Sequence, residues 1–455
     1  MKKLFYIFVY VLLMSGSAIA QNADTVGSAL TRINSDLDVL KRIKLSGYIQ
    51  GQFQVADSIG IKSYAGGDFV AGSNSSPTDK RFMLRRARLK MVYDAPLNDI
   101  GVSTSQYVFQ FDLSEKGLTI KDCYAKFTDP WSGWFSMTAG MQNRPFGFEI
   151  GYSSSLRESP ERGRMSQIIF PNERDLGAML TIQGPKRTRW NWLKLEAGFF
   201  NGTGGPSQGA NTSDFDKYKD FIGHLSMNRT TKSEKISYGL GVSMYDGGYR
   251  IDTVNVYRFE TDSTGVKGYT FDMKKTDVAP DFNNRKESSR KYIGADFQVN
   301  IETEAGITTL RGEYIQGEQP GVASSNYLSA PTASPNAQVT SDIYKRKFNG
   351  AYFYLLQSIG HSRWQAIFKY DWYDPNTDVE GDDIGKAVKQ SGFKSTGISD
   401  IKYTTTGVGI AYRWDANVKI TAYYDMVKNE TSSNLSGYMN DLKDNVFTLR
   451  TQIRF

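Results

Sequence analysis

Cysteine and histidine are almost missing from this 455-residue chain: Cys123, His224 and His361 are all it has. One thiol excludes a disulfide framework, and three scattered ligands are too few for a Cys/His zinc site. Long apolar runs are absent too. Past the N-terminus, the longest uncharged apolar stretch lies around Ala351 to Gly360, far short of the roughly 18 residues that a spanning helix needs. A hydrophobic content of 39% is low for a thick soluble core, yet aromatics make up 13%, with 27 Tyr. Such a mixture suits thin apolar bands carried by rings.

The N-terminus has the layout of an export signal. Lys2 and Lys3 open it, Leu4 to Met14 is apolar, and Ala18-Ile19-Ala20 ends it with a small-x-small site, so cleavage is expected before Gln21. An exported chain without spanning helices is either soluble or a β-barrel.

Periodicity favours the barrel. Leu45, Gly47, Ile49, Gly51 and Phe53 alternate with Ser46, Tyr48, Gln50, Gln52 and Gln54, a period of two with one apolar and one polar face. The pattern returns at Tyr107 to Leu113, Phe135 to Met141, Leu193 to Phe199, Ile236 to Met244, Trp364 to Trp372, Val418 to Met426 and Phe447 to Phe455. Counting weaker segments, about sixteen strands are expected. Links between them alternate in length, as an up-and-down transmembrane barrel requires. Short turns lie near residues 129–133, 229–235 and 359–362, and long loops near 55–80, 144–174, 247–289 and 374–400. Both chain ends then fall on the short-turn, periplasmic side. Trp131, Trp134, Trp190, Trp192, Trp364 and Trp414 all sit at or beside short turns, as an interfacial girdle would, and only Trp372 sits at the other end. The final Phe455, after an alternating strand, resembles the terminal signal of outer-membrane barrels. The fold class is therefore all-β, a transmembrane antiparallel up-and-down barrel. Residues 1–20 are the signal peptide, 21–43 a periplasmic segment and 44–455 the barrel.

Within the periplasmic segment, Leu30, Ile33, Leu37 and Leu40 have heptad spacing. This stretch is either a short coiled coil supporting a trimer or a disordered leader.

Function should show in the lumen-facing parity. On the strand around 81–93, apolar Ala87, Leu89, Met91 and Tyr93 alternate with Arg86, Arg88 and Lys90, and Arg85 lies at the loop-side edge. Rungs two residues apart are spaced by about 6.6 to 6.8 Å. Anions pass along such a ladder when each site attracts and still releases, and the planar fork of Arg suits phosphate or carboxylate. The competing reading is that these cations pair with Asp112, Asp122 or Asp175. The loop 144–174 carries Arg144, Arg157, Arg162, Arg164 and Arg174 against Glu149, Glu158, Glu161 and Glu173. Folded inward it narrows the pore; lying outside it is a solvated charge cluster. Other chemistry is poorly supported. The Gly-rich stretch 201–209 lacks the Gly-Lys-Ser/Thr ending of a P-loop, and in 374–383 Val379 stands where a calcium hand needs Gly. His224 and Ser226 are badly spaced for a nucleophile and base on one strand.

The segments LSGYIQGQFQ (45–54), RFMLRRARLK (81–90), AGMQNRPFGFE (139–149) and RDLGAML (174–180), together with Phe455, resemble the phosphate-selective porin family, porins O and P. The resemblance implies a sixteen-stranded homotrimeric channel with an inward third loop and a basic anion pathway in which Arg85, Arg86 and Arg88 bind. The family often has Lys just before its Pro-Phe-Gly, where this chain has Gln142, Asn143 and Arg144. Expected anion-contacting residues are Arg85, Arg86, Arg88, Lys90, Arg144, Arg157 and Arg174. The expectation is a passive channel for phosphate or polyphosphate in the outer membrane, with no cofactor, no metal, no catalysis and no nucleic-acid partner. Rivals are a general porin for small hydrophilic solutes, a barrel enzyme and an adhesin.

Overall fold

The period-two segments of the sequence are realised as a closed antiparallel barrel in the computed structural model of the chain. Described residues are 26–63, 67–69, 76–115, 117–171, 173–186, 188–202, 219–250, 254–274, 287–324 and 342–455; the signal peptide expected at 1–20 lies outside them. Sixteen strands form the wall. They are β1 (Ile43–Ala56), β2 (Lys80–Asp94), β3 (Ser105–Ser114), β4 (Gly117–Thr128), β5 (Phe135–Asn143), β6 (Arg174–Gln183), β7 (Leu193–Phe200) and β8 (Asp220–Thr230). The second half comprises β9 (Ile236–Arg250), β10 (Glu287–Thr303), β11 (Gly306–Gly321), β12 (Ile343–Ser358), β13 (Trp364–Asp374), β14 (Tyr403–Arg413), β15 (Val418–Asn429) and β16 (Val446–Arg454).

Each strand pairs with its sequence neighbours, and β1 closes on β16 over a register from Tyr48↔Arg454 to Ala56↔Val446. Closure leaves no open edge, the condition for strands to cross a bilayer. Outside, the apolar parity is exposed: Leu89, Met91, Phe109, Met137, Leu180 and Leu240 form part of the belt. Inside, Gln50, Gln52, Gln54, Arg86, Arg88 and Asp112 are buried. Short and long connections alternate as expected, with β3 and β4 joined by a tight outer loop. One outer loop builds a hairpin of its own, Val256–Thr261 with Lys267–Met273, which extends the top of β12.

Part of the polar-lumen expectation is overturned. On the arc from β8 to β15 the inward parity carries Ile222, Tyr245, Tyr292, Ile315, Tyr352, Tyr354 and Tyr423, all buried in one apolar cluster. The other half of that cluster is the loop between β5 and β6, through Phe146, Ile150, Met165, Ile168, Ile169 and Phe170. A six-residue helix, Arg164–Ile169, carries three of these, Met165, Ile168 and Ile169, inside the barrel. The lumen is thus wet on one side and filled by packed rings on the other.

The N-terminal unit, up to Lys44, is separate from the unit Leu45–Phe455. It contains a 16-residue helix, α1 (Val26–Lys41), on which Ile33, Leu37 and Leu40 are exposed.

Candidate functional site: a basic cavity beneath an inward loop

The loop from Arg144 to Glu173 folds into the barrel, and glutamates hold it there. Glu161 accepts Arg85 at 2.7 and 2.9 Å, Arg86 at 2.9 Å and Arg450 at 3.1 Å. Glu158 is joined to Arg311 at 3.0 Å, and Glu173 to Arg174 at 2.9 Å and Arg162 at 3.5 Å. On the far wall, Glu313 accepts the backbone N–H groups of Phe148 and Glu149 at 3.1 and 3.0 Å. Gly147, at φ +59°, makes the turn that presents them. Burial works against ionisation of Glu161, but Arg85, Arg86 and Arg450 outweigh it and hold this carboxyl well below the usual range. Burial likewise opposes ionisation of Glu173, and Arg162 and Arg174 overcome it.

Each expected site residue has a definite place. Arg85 and Arg86 are adjacent in sequence yet both reach Glu161, so the two-residue alternation slips there. Arg88 pairs with Asp112 at 3.0 Å, and Arg174 with Asp122 at 2.9 Å. The pairing reading therefore holds for these two, and the picture of a bare arginine ladder is corrected: Arg85, Arg86, Arg88 and Arg174 are all engaged by carboxylates. Arg144 is buried with its guanidinium 4.8 Å from the Phe170 ring centre. Arg157 is buried in the loop, and its Nε and Nη1 have no hydrogen-bond partner among the described residues. Lys90 is half-buried and, among the described residues, has no ion pair.

Beneath the loop lies a cavity of about 680 Å³. Its cations are Arg88, Lys90, Lys126, Arg144, Arg174 and Lys194, and its carboxylates Asp122, Glu196 and Asp296. Lys194 is tied to Glu196 at 2.9 Å, and His224 faces Asp296 at 3.1 Å. That leaves Lys90 and Lys126 as half-buried cations without ion pairs among the described residues. The positive surplus is real but smaller than a count of arginines implies. Lys126 was not among the expected residues, although its register position opposite Gln106 puts it on the inward parity. Glu313 and the inward tyrosines carry no such signal, and Glu161 is legible only as one of the loop's acidic residues, because long-range pairing decides their roles.

A second cavity, of about 480 Å³, is lined mostly by amides and hydroxyls, among them Asn191, Asn228, Ser237, Gln298 and Asn300, together with Trp192 and one cation, Arg229.

Neither a protein-family model nor a curated protein matches the sequence. Solved structures do share its fold. The high-pH structure of Pseudomonas putida OprB is 10% identical, with a TM-score of 0.54, over 93% of this chain and 97% of that one. The Acinetobacter baumannii outer membrane channel DcaP is 12% identical, with a TM-score of 0.49, over 91% and 97%. An anion-selective porin from Comamonas acidovorans is 11% identical, with a TM-score of 0.49, over 91% and 99%. The fold is that of outer-membrane porins.

Proposed function

We propose that this chain is a passive diffusion channel of the outer membrane, exported through a cleaved signal peptide, and that it favours small anions of the phosphate or polyphosphate class. The observation that carries the reading is the cavity beneath the loop, lined by six cations and three carboxylates, where Asp112 and Glu173 also pair with Arg88 and Arg174 but Lys90 and Lys126 have no ion pair among the described residues. Low-dielectric walls focus that surplus on anything passing through. The work is electrostatic: lysine ammonium groups replace part of an anion's hydration, and exchange between neighbouring sites releases it. Arg88, Arg174 and Arg144 set the background field, while Arg85, Arg86 and Arg157 line the region where the loop meets the wall. No covalent step is involved, and the reading is of a channel, not an enzyme.

A homotrimer fits the same picture. The apolar stripe of α1, with Ile33, Leu37 and Leu40 exposed, calls for partner helices.

Reversal potentials under a salt gradient in planar bilayers test the proposal. Anion preference is expected, reduced in Lys90→Glu and Lys126→Glu; cation preference in the unaltered protein refutes it. The amide-lined second cavity favours one alternative, a general channel for neutral hydrophilic solutes. That reading predicts liposome swelling rates for sugars that are insensitive to both substitutions.

A further inference from the structure

Three guanidinium groups converge on one carboxylate where the inward loop meets the barrel wall. Both oxygens of Glu161 accept two charge-assisted bonds each: Oε1 from Arg85 Nε and Arg450 Nη2, and Oε2 from Arg85 Nη2 and Arg86 Nη2. Four bonds saturate the acceptor sites of a carboxylate, yet among the groups in direct contact one negative charge faces three positive ones, with Glu173 and Asp425 acting on the cluster from farther off. Gln50 and Gln52 add neutral acceptors, to Arg86 at 3.2 Å and to Arg450 at 2.9 Å. A surplus of two positive charges in a buried cluster is costly. An oxyanion with more oxygens and a second charge would satisfy these forks better than the carboxylate does.

The backbone around Glu161 is pinned independently of that carboxylate. Ser159 is bonded to Tyr354 at 2.6 Å, the Pro160 carbonyl accepts Arg450 Nη1 at 2.6 Å, and the Arg162 carbonyl accepts Lys369 at 3.4 Å. The Glu161 side chain can therefore swing away without the loop leaving the wall. Arg85 remains about 30% exposed, which gives an incoming ion a first point of contact.

We infer that Glu161 is a tethered competitor for an oxyanion site formed by Arg85, Arg86 and Arg450, and that a phosphate-like ion binds there by displacing it. This rests on the anion-channel reading and adds to it a residue that sets selectivity. Chloride, with one charge and no fork-matching oxygens, does not dislodge the carboxylate. A divalent oxyanion does so at a concentration that Glu161 sets.

The test is the block of chloride current by inorganic phosphate, in planar bilayers holding the full-length channel. Glu161→Gln keeps the shape and two hydrogen-bonding atoms of the side chain while removing its charge. The phosphate concentration for half-block should fall roughly threefold or more, the factor expected for one unit charge removed at about 6 Å in a water-like dielectric. Adding Arg85→Gln to Glu161→Gln should reverse the gain, and Glu161→Asp, which keeps the charge, should remain close to the unaltered channel. Unchanged block in a folded Glu161→Gln channel overturns the inference and leaves anion preference standing. Equal gains in potassium and chloride conductance without stronger block overturn it too, since Glu161 is then only a strut. Cation preference in the unaltered channel is a different result and removes the parent reading itself.

Discussion

Arg88 on β2 and Asp112 on β3 stand opposite one another in the strand register and are joined by a 3.0 Å ion pair inside the barrel. Both are buried. A rung of the basic strand is thus neutralised by the strand beside it, and the net field of the pore depends on which cations escape such pairing.

Substitutions at this pair should move selectivity in opposite directions. Asp112→Asn frees a guanidinium and raises anion preference; Arg88→Gln removes a cation and leaves Asp112 uncompensated, lowering it. Breaking a buried pair from one side costs about 3–5 kcal/mol, so each single variant should also unfold at lower denaturant concentration. The double variant should recover most of both losses. Reversal potentials and urea unfolding in lipid vesicles report the two effects; selectivity shifts of the same sign in the two single variants, or a double variant no more stable than either, would refute the pairing.

Gly147 should be intolerant of a side chain. At φ +59° a Cβ is strained, and here it would also fall on the Glu313 carboxylate that accepts the Phe148 and Glu149 N–H groups. Gly147→Ala is expected to cost about 1–3 kcal/mol from the backbone alone and to detach the loop from its far anchor. Single-channel conductance should rise. A channel of unaltered conductance would show that the anchor does not set the bore.

How far the sequence speaks for this architecture follows from the two solvents it meets. Where a strand has lipid on one side and water on the other, as in Leu45 to Gln54, alternation reads out directly. Where the inward face is packed by the loop, the signal vanishes: Ala351 to Leu356 is a nearly unbroken apolar run because Tyr352 and Tyr354 are buried inside while Phe353 and Leu355 face out. The arginines were legible as residues but not as partners. Arg85 and Glu161 are 76 positions apart, and only the inward fold of the loop joins them.

The helix Val26–Lys41 makes its own prediction. Its described side chains Thr31 to Lys41 are all exposed, and an isolated helix of this length is marginal in water. Leu37→Asp places a charge in the apolar stripe. The homotrimer proposed above, extracted in mild detergent, should then dissociate at lower temperature, while single-channel conductance stays unchanged. Identical dissociation temperatures would count against helix association.

Asp444, in the loop before β16, gives a pH dependence with a definite sign. Its Oδ1 is buried without a hydrogen-bond partner among the described residues. Burial pushes its pKa up to about 6; Arg164 opposes this, and Asp441 adds to it. An acid whose pKa is raised on folding destabilises the folded state while ionised, and the penalty disappears as the pH falls through about 6 toward the ordinary carboxylate range. Asp444→Asn removes the charge without removing the shape. Its unfolding temperature should exceed that of the unaltered protein by at least about 1–2 °C at pH 7.5, and most of that gain should be gone at pH 4, where the folded-state carboxyl is protonated and the unfolded-state one is close to its own pKa. A stabilisation that persists undiminished at pH 4 would mean that the amide gains from new hydrogen bonds, and the burial of an ionised carboxylate would lose its place in the stability of the outer loops.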